Sequence, residues 1–288
     1  MDKTVEIIYI CTSTYKNYAR NFFKSLQYFF PTSKKIIKIL TDDIYVVSKI
    51  LKSIEEDFKD VNLLTIDVMK ITDLPYPLIN LGKFAYINDY IVEESDYVFY
   101  FDADTKFIQK SDEYWNNLQK ILDSNKVLLS PHVFYLSSFH EEEYREDQRQ
   151  YRIYDMEIFK NRCDERKGSV LYDKLHIPDV SYVWASTSFI AGTRDKMLQF
   201  TDKANKRLQS VMITEQIDGI AGYSIPRLFD ESVANRMIYE SYIGSDLDVE
   251  FHVKPYAVIR EQEVEPNYTF MCQKYGNYEN KKHTSWET

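Results

Sequence analysis

Apolar residues in this chain gather in short runs separated by polar clusters, and two spacings recur. Residues 5–11 (VEIIYIC) and 36–40 (IIKIL) are apolar runs of strand length, each followed by a turn rich in Thr, Ser or Asp. Residues 61–68 are strand-like too, and 97–101 (YVFYF) form a strongly apolar strand that stops at Asp102. Between these runs, residues 15–30, 47–58 and 82–94 carry apolar side chains at helical spacing. In the last of them Phe84, Ile87 and Ile91 share one face. Strands alternating with helices predict an α/β fold with a mostly parallel central sheet and flanking helices. Ligands of such sheets bind beyond the carboxyl ends of the strands. Thr12, Asp42 and Asp102 each follow a predicted strand, so a common edge is expected to carry all three.

The alternation breaks at residues 140–167, a highly charged stretch that reads as a solvated helix or an excursion. An apolar patch at 183–191 follows, then helices predicted at 195–208 and 232–239. The tail from 261 is polar, with Lys274, Lys281 and Lys282, and reads either as solvated or as a lid over a diphosphate. Neither an internal repeat nor a Gly/Ser or Pro linker is found. One domain across 1–288 is expected, with a nucleotide-binding half to about 105, an acceptor-binding and catalytic half over about 106–245, and a C-terminal tail over 246–288.

Composition narrows the function. The 288 residues are 44% hydrophobic, enough for a large core, and the 24 tyrosines suit sugar or base stacking as well as packing. A formal net charge of −9 argues against nucleic acid as a partner, because phosphate backbones need a basic surface. An acidic protein still binds a phosphorylated ligand when a metal ion supplies the positive charge. Cys11, Cys163 and Cys272 share no close spacing, so neither a disulfide framework nor a zinc ribbon is indicated. No apolar run approaches the ~20 residues that span a bilayer. The expected location is cytoplasmic, with the late basic tail available for peripheral contact at the inner membrane face.

The sharpest motif is YVFYFDADTKF, residues 97–107. Residues two apart on a strand point to the same side, so Asp102 and Asp104 are placed to converge on one hard cation, Mn²⁺ or Mg²⁺. Two enzyme classes use such text. In a haloacid-dehalogenase-type phosphatase the first Asp is a nucleophile, and Asp102-Ala103-Asp104-Thr105 fits that pattern. In glycosyltransferases of the GT-A fold, Asp-x-Asp holds a metal against the diphosphate of a sugar nucleotide. Position favours the second, because roughly a hundred residues of α/β pattern precede the motif. A second constellation, Phe229-Asp230-Glu231-Ser232, reads either as a helix N-terminus or as carboxylates aimed at an anomeric carbon.

Taken in order, these segments resemble the retaining family-6 glycosyltransferases, which include the ABO blood-group transferases, the α-1,3-galactosyltransferases and bacterial relatives. Tyr9-Ile10-Cys11-Thr12 with Tyr15 looks like that family's opening nucleotide-binding strand, and Lys83 falls where it places a basic residue near the nucleotide. Asp102-Ala103-Asp104 matches its metal motif, and Pro131-His132 its His-Pro-type acceptor segment in reversed order. Residues 184–192 resemble its aromatic-pair segment, and Asp230-Glu231-Ser232 with Asn235 its His-Asp-Glu-Ser-x-x-Asn block. Phe229 stands in place of the His, and Ala191 in place of a Gly.

The resemblance implies a GT-A fold and transfer of galactose or N-acetylgalactosamine from a UDP-sugar to an oligosaccharide or glycolipid. It implies Glu231 as nucleophile and Asp230 as a contact to the donor sugar, with Asp102 and Asp104 holding the metal. The donor would meet Tyr9, Ile10, Cys11, Tyr15, Lys83, Asp102, Ala103, Ser186 and Ser188. The acceptor would meet His132, Trp184 and Thr187.

Overall fold

A computed structural model describes residues 3–72, 74, 78–107, 112–131, 185–214, 216–217, 220–221, 230, 233–234, 237, 249–251 and 270–272. The expected α/β architecture is present. The strands are β1 (Thr4–Ile10), β2 (Lys34–Thr41), β3 (Leu63–Lys70), β4 (Tyr97–Phe101), β5 (Thr105–Phe107), β6 (Val127–Pro131) and β7 (Ala185–Thr193). Short strands follow: β8 (Gln216–Ile217), β9 (Ile220–Ala221), β10 (Val249–Phe251) and β11 (Phe270–Cys272). The α-helices whose bounds are described include α1 (Ala19–Ser25), α2 (Ile44–Ser53), α3 (Leu78–Tyr90), α4 (Asp112–Asp123) and α5 (Arg194–Thr214). The seven-stranded sheet has the order β10-β6-β7-β4-β1-β2-β3. Within it β7 runs antiparallel to both neighbours, and the other pairings are parallel.

Burial of both sheet faces explains why the central strands read as continuous apolar runs. Side chains alternate between the two layers. Val5, Ile7 and Tyr9 of β1 and Tyr97, Phe99 and Phe101 of β4 face a layer built by α1, α2 and α4. Ile8 and Ile10, with Val98 and Tyr100, face the opposite layer, which contains Phe84 and Ile87 of α3 and Met197, Phe200 and Ala204 of α5. The first layer is rich in aromatic rings, with Phe29 in ring contact with Phe30, Phe99, Phe101, Phe107 and Trp115.

Several boundaries differ from expectation for identifiable reasons. The single helix expected over 15–30 is a 3₁₀ turn (Ser13–Tyr18), then α1, then a second 3₁₀ turn (Leu26–Tyr28). The Ser25 hydroxyl donates to the Phe22 carbonyl and accepts from the Phe107 N–H, tying the break to β5. Strand β2 begins earlier than 36 because Lys35 is buried rather than solvated. Its ammonium donates to the carbonyls of Phe30 and Ser33 at 2.7 and 3.0 Å, bracing a turn in which Phe30 has φ 43°. Helix α2 starts at Ile44, not 47, since the Asp43 side chain caps it by accepting from the Val46 N–H. Helix α4 was not expected, although Trp115, Leu118 and Leu122 give it a helical apolar stripe. Part of the polar tail pairs as β11 with β5.

The charged stretch at 140–167, most of the helix expected at 232–239, and Lys274, Lys281 and Lys282 lie outside the described residues. Among those residues, no helix is long and apolar enough to cross a membrane.

One buried acid makes the fold pH-sensitive. Glu6 of β1 is fully buried, and both carboxylate oxygens accept from the Val92 N–H. Burial pushes its pKa from 4.5 to about 7, against weaker opposing contributions from Ser95, Val92, Lys38 and Arg194. The folded protein therefore holds a proton that the unfolded chain releases between those two values. This stabilising contribution is complete below the unfolded pKa and is lost as pH rises through about 7. Urea denaturation should show Glu6→Gln gaining stability over the parent at pH 8 and little or nothing at pH 4.5.

Candidate active site

The Asp102-Ala103-Asp104 turn is tied to the sheet from several sides. Leaving β4, the Asp102 N–H donates to the Ser188 carbonyl of β7 at 2.9 Å, and the Thr105 N–H closes the turn onto the Asp102 carbonyl at 3.1 Å. The Tyr9 hydroxyl of β1 donates to the Ala103 carbonyl at 2.8 Å. A turn anchored to both neighbouring strands holds its side chains in a defined direction. Asp104 is buried, while the Asp102 side chain keeps 21% of its surface exposed.

Lys83 of α3 meets this turn from the second layer. Its side chain is 4% exposed, and its Nζ lies 2.5 Å from Asp230 Oδ2 and 3.6 Å from Asp102 Oδ1. The ammonium also donates to the Thr187 carbonyl at 3.1 Å and to the Thr187 hydroxyl at 3.3 Å. Thr187 in turn donates its hydroxyl to Asp230. The Lys83 Nζ sits 4.9 Å from the centre of the Tyr100 ring, a cation–π distance. The Tyr100 hydroxyl donates to Asp102 Oδ1 at 2.9 Å. Burial holds the Tyr100 pKa far above its usual value, and the charges of Asp102, Asp230 and Asp104 push the same way. That hydroxyl is therefore a fixed donor.

Three carboxylates and one ammonium leave this cluster with a formal excess of two negative charges. Among the described residues, no group of three or more His, Cys, Asp or Glu is placed to hold a metal ion on its own. Mg²⁺ or Mn²⁺ in phosphate-binding sites is commonly held by only one or two protein carboxylates, with substrate oxygens and waters as the other ligands.

Further along the same edge, Asp42 follows β2. Burial opposes its ionisation, but the Lys16 ammonium at 2.7 and 2.8 Å and the Ser13 N–H at 3.1 Å hold its pKa below the usual value. Ser13 has φ 50°, which turns the chain over Asp42. Tyr15 (50% exposed) and Tyr45 (76%) flank this point, and an open cleft there is lined by Asp42, Lys70, Ile71 and Thr72.

The structure thus gathers Lys83, Asp102 and Asp230, buries Asp104 in the same turn, and leaves Tyr15 exposed. Several other expected site residues are buried. Tyr9 is a core residue whose ring stacks on Phe22 at 4.1 Å, so it cannot stack on a base. Ile10, Cys11 and Ala103 are buried, and burial pushes the Cys11 thiol up to about 12. Thr187 belongs to the buried Lys83–Asp230 network rather than to an exposed acceptor surface, and Ser188 is buried beside it. Of Ser186, only the backbone is described, paired with Ser130. His132, Trp184 and Glu231 lie outside the described residues.

Two contributors escaped the sequence reading. Tyr100 sits two residues before Asp102, hence on the same side of the strand, but inside an apolar run it reads as core. Lys16 had only its position after the first strand to mark it. No protein-family model matches the chain, and no curated protein matches it significantly.

Lys83 is predicted to be essential to the assembly of the cluster. Lys83→Met should cost ~3–5 kcal/mol by urea denaturation, because it strands buried carboxylates. Adding Asp230→Asn should restore part of that loss in a double-mutant cycle.

Proposed function

We propose that this chain is a metal-dependent retaining glycosyltransferase with a GT-A-like fold, moving a hexose from a UDP-sugar to a glycan hydroxyl. The observation that carries this reading is the meeting of Lys83, Asp102 and Asp230 at the carboxyl end of β4. These residues come from three separate segments, and each segment resembles a nucleotide- or sugar-binding block of the family-6 enzymes. The mixed α/β sheet, with its ligand edge beyond β1, β2 and β4, is compatible with that assignment.

In this reading Asp102 and Asp104 would hold Mn²⁺ or Mg²⁺, which when bound would supply positive charge against the diphosphate leaving group. Tyr15 and Asp42, farther along the edge, face the nucleoside. Lys83 fixes Asp230 against the donor sugar and restrains the charge repulsion between Asp230 and Asp102. Glu231, next in the chain, is the residue proposed as the nucleophile or charge stabiliser that retention requires on the face opposite the leaving group. Galactose and N-acetylgalactosamine are the sugars proposed, and an oligosaccharide or glycolipid the acceptor.

Calorimetry of UDP with and without Mn²⁺ tests the assignment. Binding should depend on the metal, and Asp104→Asn should weaken it by an order of magnitude or more while leaving thermal stability near the parent's. Metal-dependent binding that survives in this variant contradicts the assignment. Inorganic phosphate released from simple phosphomonoesters, with no UDP binding, would favour the phosphatase chemistry instead.

A further inference from the structure

We propose that Tyr100 is a positioning residue for the metal-binding carboxylate, orienting Asp102 through its hydroxyl; this rests on the glycosyltransferase reading above. Tyr100 of β4 reaches Asp102, which follows the strand's last residue, and its hydroxyl donates to Asp102 Oδ1 at 2.9 Å. The Lys83 ammonium lies 3.6 Å from that same oxygen and 4.9 Å from the Tyr100 ring. The tyrosine hydroxyl and the lysine ammonium thus approach the same carboxylate oxygen.

Tyr100 has little freedom to do otherwise. The residue is buried in the layer formed with Phe84 of α3 and Phe200 of α5, and its backbone is paired with Ile8 on β1 and Ile190 on β7. A donor locked in this way selects one orientation of the carboxylate before a cation arrives. Hydrogen-bond partners of metal-binding carboxylates act in this manner, and losing one typically lowers metal affinity ~10- to 100-fold. Phenylalanine would preserve the ring and its packing while removing the donor.

The test is a Mn²⁺ titration in the presence of UDP, followed by electron paramagnetic resonance of free Mn²⁺, on the parent, Tyr100→Phe and Asp102→Asn. Asp102→Asn should abolish metal-dependent UDP binding. Tyr100→Phe should weaken Mn²⁺ ~10-fold or more, while UDP affinity at saturating Mn²⁺ returns to within about twofold of the parent. Unchanged Mn²⁺ affinity in Tyr100→Phe, with Asp102→Asn inactive in binding, overturns the role of Tyr100 and leaves the glycosyltransferase reading standing. A loss in Tyr100→Phe that saturating metal does not restore marks a purely structural residue and also overturns it. Full metal-dependent binding in Asp102→Asn overturns the underlying reading itself. Tyr100→Met, a second variant without the hydroxyl, is read by the same criteria if the phenylalanine variant does not fold.

Discussion

The buried Lys83 ammonium is the interaction on which the site depends. It is delivered by α3, lies almost out of contact with water, and touches carboxylates from the end of β4 and from the segment at 230. Carboxylates this close and this buried repel one another strongly without an intervening cation, because the interior screens charge poorly. The Thr187 carbonyl and hydroxyl hold the ammonium in place from β7. Four parts of the chain, distant in sequence, are thereby committed to one point beyond the central strand.

Strand β4 makes that point possible. Its aromatic residues alternate between layers, so Phe99 and Phe101 complete one core while Tyr100 and then Asp102 turn toward α3. The antiparallel neighbour β7 contributes the Ser188 carbonyl that receives the Asp102 N–H, and the parallel neighbour β1 contributes the Tyr9 hydroxyl. Tyr9 thus serves the acidic turn from inside the core. Packing and site geometry are the same set of contacts here.

Much of this was legible in the sequence, and the limits have physical causes. Continuous apolar runs ending in Asp or Thr revealed the parallel core and the strand ends that carry Asp42 and Asp102, because strands buried on both faces carry that signature. The direction of β7 carries no such signature, since a buried strand reads alike in either orientation. Lys83 sat in an amphipathic pattern that accounted for Phe84 and Ile87 but not for the lysine. Only the family resemblance singled it out. Tyr9 and Tyr100 were opaque for a different reason: hydropathy does not distinguish a tyrosine that packs from one that packs and also donates. Lys35 shows the converse, a lysine in a strand that reads as solvated yet is buried by two backbone carbonyls.

The measurement that bears most directly on the central claim is anomalous diffraction from crystals grown with UDP and Mn²⁺. The account predicts a Mn²⁺ peak against the carboxylates of Asp102 and Asp104, bridged to the UDP diphosphate, with Lys83 still joining Asp230. UDP bound elsewhere, or Mn²⁺ located away from both aspartates, would contradict it.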